Sequence, residues 1–288
     1  MIEIYLLEQL VGIAKYKTLS EASEHLHVTQ PTLTRSVHKL ENILGAKLFD
    51  RDKNRIYIND TGKLAVEYAK KILATEQDMV NAVKALERSK HTVSVGSCAP
   101  IPNILISEKL KKSFPENQIL TEMSDEKSLT DGLKNGTYQI IVLDHPEAHE
   151  DMCCKKIFTE QLRISVLPAH PAAMHSSVSF AEINGGTFLT YKDIGIWLDI
   201  SRKNMPGTRF IFQEGMDEYL EVVNSSSLPT FDTDIASKVF GASPNRRSIP
   251  ISDAQAKMTY YAFYNAKDKK RFESLIDEIS ESVNACKL

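Results

Sequence analysis

Two residues, His27 and Val28, are all that separates one helical stretch from the next near the start of this chain, and that gap leaves room only for a tight turn. Before it, Ser20 offers an N-cap oxygen, and Ala22 and Leu26 share one face of a short helix, Ala22 small enough for another helix to approach closely. After it, Thr29 offers a second N-cap oxygen and Pro31 sits in the first turn, where a missing N–H costs nothing. Leu33, Val37, Leu40 and Leu44 continue at helical spacing until Gly45 stops the helix. Upstream, residues 2–16 place Leu6, Leu10, Ile13 and Ala14 three and four apart. Three helices, the last two joined by a minimal turn, make a helix-turn-helix.

The residues that follow complete a winged unit. Lys47-Leu48-Phe49 anchors the chain, residues 50–55 form a polar turn, and Ile56-Tyr57-Ile58 alternates like a short strand, so a hairpin carries Arg51, Lys53 and Arg55 at its tip. From Asp60 to about Arg88 there is no proline, and Ala65, Tyr68, Ile72, Thr75, Met79, Ala82 and Leu86 recur at alternating spacings of three and four. That is the pattern of a coiled-coil seam along a helix about 40 Å long.

Charge is divided between the two ends. The whole chain of 288 residues is mildly acidic, formal net charge -3, which taken alone argues against a nucleic-acid partner. Residues 1–91 nevertheless hold 14 Lys and Arg against 12 Asp and Glu, and the rest carries a net -5. Within the front, residues 29–63 are net +3. A recognition helix presents its N-terminal residues to base edges. On the helix opening at Thr29, the residues not needed for packing are Gln30, Thr32, Thr34, Arg35, His38 and Lys39. Gln30 suits adenine, Arg35 guanine or phosphate, and Thr32 thymine. The wing residues Arg51, Lys53 and Arg55 suit phosphate or the minor groove, setting affinity more than sequence.

After the polar hinge at residues 88–91, strands alternate with helices, which implies a mostly parallel α/β arrangement. The spacing predicts strands at 92–96, 118–123, 139–143, 162–167, 188–191, 209–212, 248–251 and 258–264, and helices at 101–114, 127–133, 196–203, 216–223 and 269–283. Ligands in such sheets bind beyond the carboxyl ends of strands. The candidate walls are Ser97, Cys98 and Pro100 after the first strand, Ser124 after the second, and Thr190 and Tyr191 after the strand at 188–191. A helix N-terminus there suits an anion.

The stretch Thr18 to Lys63 resembles the winged helix-turn-helix of LysR-type transcriptional regulators. The matching positions are Ala22, Leu26, Val28, Gln30-Pro31, Leu33, Arg35, Leu40-Glu41, Gly45, Leu48-Phe49, Arg51 and Thr61-Gly62. The resemblance implies an α+β multidomain chain. Residues 1–59 are its winged helix-turn-helix, 60–88 its linker and dimerisation helix, and 92–288 a two-lobed α/β effector-binding domain like the type II periplasmic solute-binding proteins. Lobe one then takes about 92–161 and 266–288, lobe two about 162–265. It also implies DNA contact through Gln30, Thr32, Thr34 and Arg35, with Thr29, Pro31 and His38 on the same helix. Pairing of copies falls to Tyr68, Ile72, Met79 and Leu86. The expected partners are double-stranded DNA bearing an inverted repeat, a small effector of anionic type, a second copy or a tetramer, and RNA polymerase. The chain departs from the family at residues 224–230, where a Gly-rich segment is usual.

Other classes find little support. No apolar run approaches the roughly 20 residues that span a bilayer, and the acidic N-terminus is unlike a signal peptide, so a cytoplasmic protein is expected. Cys98, Cys153, Cys154 and Cys286 have no CxxC spacing, so neither a zinc site nor a thioredoxin-like motif is supported, and no metal or cofactor is expected. Cys98 beside a helix start and several histidines lack any local catalytic signature, which argues against an enzyme. The alternative is a cytoplasmic solute-binding or cysteine-based redox-sensing protein without a DNA role.

Overall fold

Leu6, Leu7, Leu10 and Ile13 bury one face of α1 (Ile4–Tyr16), against which α2 (Leu19–His25) and α3 (Gln30–Leu44) pack. Ala22 has no exposed surface. The oxygen that caps α2 is Thr18, accepting from Glu21 N at 3.2 Å, rather than Ser20, whose carbonyl accepts from the Ser23 hydroxyl. In the computed structural model every residue is described except 17, 53–54, 148–150, 242, 244 and 286–288, and residues 51, 52, 55 and 56 by backbone alone.

Glu41, near the end of α3, is almost wholly buried yet fully used: it accepts from Leu48 N at 2.9 Å and pairs with Lys47 at 2.9 Å. That fixes the start of the wing, β1 (Phe49–Asp52) antiparallel to β2 (Arg55–Ile58). The next helix, α4 (Asp60–Ser89), begins against the Leu48 carbonyl so closely that a Cβ on Gly62 would lie 2.1 Å from that oxygen. Only glycine fits there. Ala69 lies in the core of the head, with Ala65, Val66 and Leu73 packed beside it.

The chain divides into two units, Met1–Lys84 and Ala85–Leu288. In the second, β3 (Thr92–Ser97) pairs in parallel with β4 (Gln118–Met123) and β5 (Ile140–Leu143), linked by α5 (Pro100–Ser113) and α6 (Glu126–Lys134). A long strand, β6 (Met152–Val166), then leaves this lobe. Beyond it come α7 (Phe180–Ile183), β7 (Thr187–Tyr191), α8 (Ile196–Asn204), β8 (Arg209–Gln213), α9 (Met216–Ser225), β9 (Thr230–Thr233), α10 (Ala236–Phe240) and β10 (Arg247–Pro250). The chain returns through β11 (Lys257–Asn265) and closes with α11 (Lys269–Asn284). The sheet order is β4-β3-β5-β11-β6-β9-β7-β8, with β10 also on β6.

The lobe crossing and the extent of the long strand differ from the sequence reading. β11 pairs with β5, Tyr261 opposite Leu143, so the second crossing between lobes lies near Lys257 and not at 265. The stretch 152–161 is strand as well, running antiparallel to β11 with a register shift at Tyr260/Tyr261. A bulge of this kind bends the ladder where one lobe passes into the other.

The loop after α9, where the family pattern is departed from, is organised by Arg246. Its guanidinium donates to the carbonyls of Val223, Ser226, Ser165 and Leu228 and to the Ser165 hydroxyl. Four carbonyls and a hydroxyl thus depend on one side chain. Arg246→Ala is expected to cost roughly 2–4 kcal/mol, read as a lowered urea midpoint; an unchanged midpoint contradicts this role.

Candidate functional site

The α3 helix separates two kinds of side chain. Leu33, Ser36, Val37 and Leu40 point into the head, while Gln30, Pro31, Arg35 and His38 are exposed. Thr29 caps the helix, its Oγ1 accepting from Thr32 N at 3.4 Å and sharing a 2.8 Å hydrogen bond with the Thr32 hydroxyl. Thr34 donates to the Gln30 carbonyl at 3.1 Å. The hydroxyls of Thr29, Thr32 and Thr34 therefore serve the helix first, and the long side chains of Gln30 and Arg35 are left to reach outward. Arg35, His38, Lys39, Asn42 and Ile43 line an open depression beside them.

Lys39 is held back. Its ammonium pairs with Glu3 at 2.6 Å and lies 3.4 Å from the Tyr5 hydroxyl. The hydrogen bond to Glu3 pushes the Lys39 pKa up and holds the Glu3 carboxyl below the ordinary range. Arg51 and Arg55 sit on the two strands of the wing, Arg51 opposite Ile56 and Asp52 opposite Arg55. Lys53 lies outside the described residues.

On α4, Tyr68, Ile72, Met79 and Leu86 are 57%, 44%, 62% and 67% exposed, so the apolar seam is uncovered in a single chain. Leu64 and Val83 extend the exposed apolar surface.

In the second unit the two lobes touch through backbone. The amide of Ile196, first residue of α8, donates to the Cys98 carbonyl at 2.9 Å. Gly195 before it has φ 60°, and a Cβ there would stand 2.4 Å from the same oxygen. The start of α5 offers an anion fewer donors than a helix start normally does. Pro100 and Pro102 lack N–H groups, the Cys98 amide donates to Val142 O at 3.1 Å, and the Ala99 amide to the Ser97 hydroxyl at 3.2 Å. Ser97 is fully buried and its hydroxyl donates to the Ala99 carbonyl at 2.8 Å. Ser124 is half-buried, its amide on the Ser97 carbonyl at 3.2 Å. At the end of β7, Tyr191 lies 5.9 Å from the Tyr219 ring, and Thr190 is buried with its hydroxyl lacking a partner among the described residues.

Where the long strands cross, Glu160 is fully buried, a residue that sequence reasoning passes over. Its carboxylate accepts from Thr233 Oγ1 at 2.5 Å, Tyr260 OH at 2.9 Å and Trp197 Nε1 at 3.2 Å, so three elements meet on one acid. Burial pushes its pKa up to about 7 despite those donors. Burial, with Asp144 and Glu160 nearby, pushes the Cys98 thiol up to about 12.

Comparison with known proteins agrees with both halves of this arrangement. The sequence pattern of the bacterial regulatory helix-turn-helix protein, lysR family, matches residues 4–63, and that of the LysR substrate binding domain matches residues 96–217. A hydrogen peroxide-inducible genes activator of Dickeya chrysanthemi is 24% identical over 216 residues, 74% of this chain and 69% of that protein. Its namesake in Pectobacterium carotovorum subsp. carotovorum is 23% identical over 293 residues, 96% and 95% of the two chains. Full-length OxyR of Pseudomonas aeruginosa, solved as a cysteine-to-aspartate variant, superposes with a TM-score of 0.53 at 21% identity, covering 97% of this chain and 95% of that one. A lysR-family DNA-binding head followed by a LysR substrate-binding domain, in one chain and in that order, is a regulator's construction and not an enzyme's. The chain belongs to the LysR-type family, as an effector-modulated, DNA-binding transcriptional regulator.

Proposed function

We propose that two or more copies of the chain pair through the exposed side of α4 and set two α3 helices on an inverted-repeat operator, with Gln30 and Arg35 as the principal base readers. The observation that carries this reading is the division of α3 into a buried apolar face and an exposed one bearing Gln30 and Arg35. Thr29, Pro31, Thr32, Thr34 and His38 shape the same surface, and Arg51, Lys53 and Arg55 on the wing meet phosphate. Arg35→Ala is expected to weaken operator binding by roughly 1–3 kcal/mol while non-specific binding changes little. Fluorescence anisotropy with operator and scrambled duplexes measures it, and equal affinity of variant and parent for the operator overturns the assignment.

The effector site falls between the lobes, among Ser97, Cys98, Pro100, Ser124, Thr190 and Tyr191. The uncommitted Thr190 hydroxyl, the prolines at the α5 start and the nearby Asp144 and Glu160 carboxylates favour a small polar molecule bound through hydrogen bonds over an anion. Its binding shifts the population of lobe arrangements and with it the spacing of paired heads. RNA polymerase is the further partner through which such a shift alters transcription, and the cytoplasm is the compartment where these partners meet. No described helix is long and apolar enough to cross a membrane.

Peroxide sensing, suggested by the names of the relatives, does not suit Cys98. A thiol at about 12 leaves almost no thiolate at neutral pH, and the thiolate is the reactive form. Brief treatment with equimolar hydrogen peroxide is expected to leave Cys98 unmodified by mass spectrometry; its rapid oxidation contradicts this.

A further inference from the structure

We propose that Glu126, His145 and Glu147 form a binding site for a divalent first-row transition-metal ion, Zn2+ being the best match. One ligand atom from each residue lies within 4.8 Å of the other two. The histidine is already oriented as a ligand would be, with Nδ1 2.9 Å from Asp144 Oδ1 and Nε2 3.4 Å from Glu126 Oε1. A carboxylate holding one ring nitrogen fixes the tautomer and aims the other nitrogen at a metal, the usual outer support of a histidine ligand. Here the same ring has a carboxylate at each nitrogen, one suited to orient it and one to share an ion with it.

The ligands come from anchored elements. Glu126 is the first residue of α6, whose cap Asp125 accepts from both the amide and the hydroxyl of Ser128, at 3.0 and 2.7 Å. His145 lies two residues and Glu147 four residues beyond the end of β5, a strand that is buried throughout. Lys127, which lines the same open depression as Asp125, Glu126 and Glu147, is taken by Asp131 at 2.9 Å. Zn2+ binds N and O ligands at about 2.0–2.2 Å, so tetrahedral ligand atoms stand about 3.3–3.6 Å apart. The 3.4 Å between His145 and Glu126 already meets that edge, and rotation of the two glutamates closes the rest. One imidazole and two carboxylates leave a fourth position for water. The imidazole favours Zn2+, Co2+ or Ni2+ over Mg2+, which prefers oxygen alone.

Asp144 also borders the region assigned to the effector, but zinc binding is read without DNA or effector, so the failure of one reading is distinguishable from the failure of the other. Isothermal titration of the full chain with ZnCl2 tests it. The expected result is saturable binding that includes one site lost, or weakened at least tenfold, in both His145→Gln and Glu126→Gln. Asp144→Asn is expected to weaken that site about tenfold, as loss of an outer support does. MgCl2 is expected to give no saturable binding at this site. All three residues lie near the surface, and circular dichroism checks that each variant is folded. No saturable ZnCl2 binding, or binding unchanged in His145→Gln and Glu126→Gln, overturns the proposal.

Discussion

Glu160→Gln is expected to raise the stability of the second unit above pH 7 by about 1–3 kcal/mol and to flatten its pH profile between pH 5 and 7. The folded Glu160 carboxyl titrates at about 7, pushed up from 4.5 chiefly by burial. Between those values the folded state holds a proton that the unfolded state has released. Stability therefore falls as pH rises from about 4.5 to about 7 and is level beyond, because a carboxylate is then buried with hydrogen bonds that only partly repay its lost hydration. Glutamine keeps the shape and an acceptor without the charge. Glu160→Ala instead leaves Trp197 Nε1, Tyr260 OH and Thr233 Oγ1 without their acceptor, and a loss of about 3 kcal/mol or more is expected. Urea unfolding at pH 5.5 and 8 measures both. Trp197 is the chain's single tryptophan and touches Glu160, so its fluorescence follows this unit without interference from the head. A Glu160→Gln profile parallel to the parent's contradicts the account of the buried acid.

Gly195→Val is expected to open the contact between the lobes and to lower the second unit's stability by several kcal/mol. The position combines a left-handed φ of 60° with a carbonyl oxygen 2.4 Å from where a Cβ would stand, and that oxygen belongs to Cys98 on the other lobe. A β-branched residue is strained in this backbone region at about 1–3 kcal/mol, and the steric conflict is with backbone, which moves only if the lobes part. The Ile196 amide then loses its acceptor. The urea midpoint should fall, and Trp197, one residue beyond Ile196, should shift its emission to the red as water reaches it. A variant with the parent's midpoint and emission contradicts a tight inter-lobe contact at Gly195.

The head is legible in the sequence because its determinants are local. Thr29, Pro31 and Gly45 mark the ends of α3 within the residues they terminate, and Gly45 takes the left-handed conformation a helix stop requires. The displaced cap at Thr18 reflects two hydroxyl residues, Thr18 and Ser20, at one helix start, which the local sequence does not rank. In the second unit, element types along the chain are readable, but pairing is not. β11 reads as an alternating strand whichever lobe it joins, and only its register on β5 assigns it. The strand β9 and helix α10 are short, and polar residues interrupt them, so no period stands out across 230–240.

The residues that organise the cleft are the least visible. Glu160 looks like one outward-facing acid in an alternating strand, and its burial arises from Trp197, Thr233 and Tyr260, 37 to 100 residues away. Arg246 is similar, a lone arginine whose acceptors lie between 18 and 81 residues upstream. Conversely Ser97 is conspicuous beside a helix start, yet its hydroxyl is spent on Ala99, donating to that residue's carbonyl and accepting from its amide.

Paired α3 helices that read DNA leave a footprint of their own. Hydroxyl-radical footprinting of the full chain on the DNA upstream of its own gene tests this most directly. Two protected half-sites of inverted sequence are expected on one face of the duplex, their centres a whole number of helical turns apart, with both protections weakened together in Arg35→Ala at a protein concentration that just saturates the parent. Uniform protection without half-sites, or half-sites that appear at the same protein concentration in Arg35→Ala as in the parent, contradicts it.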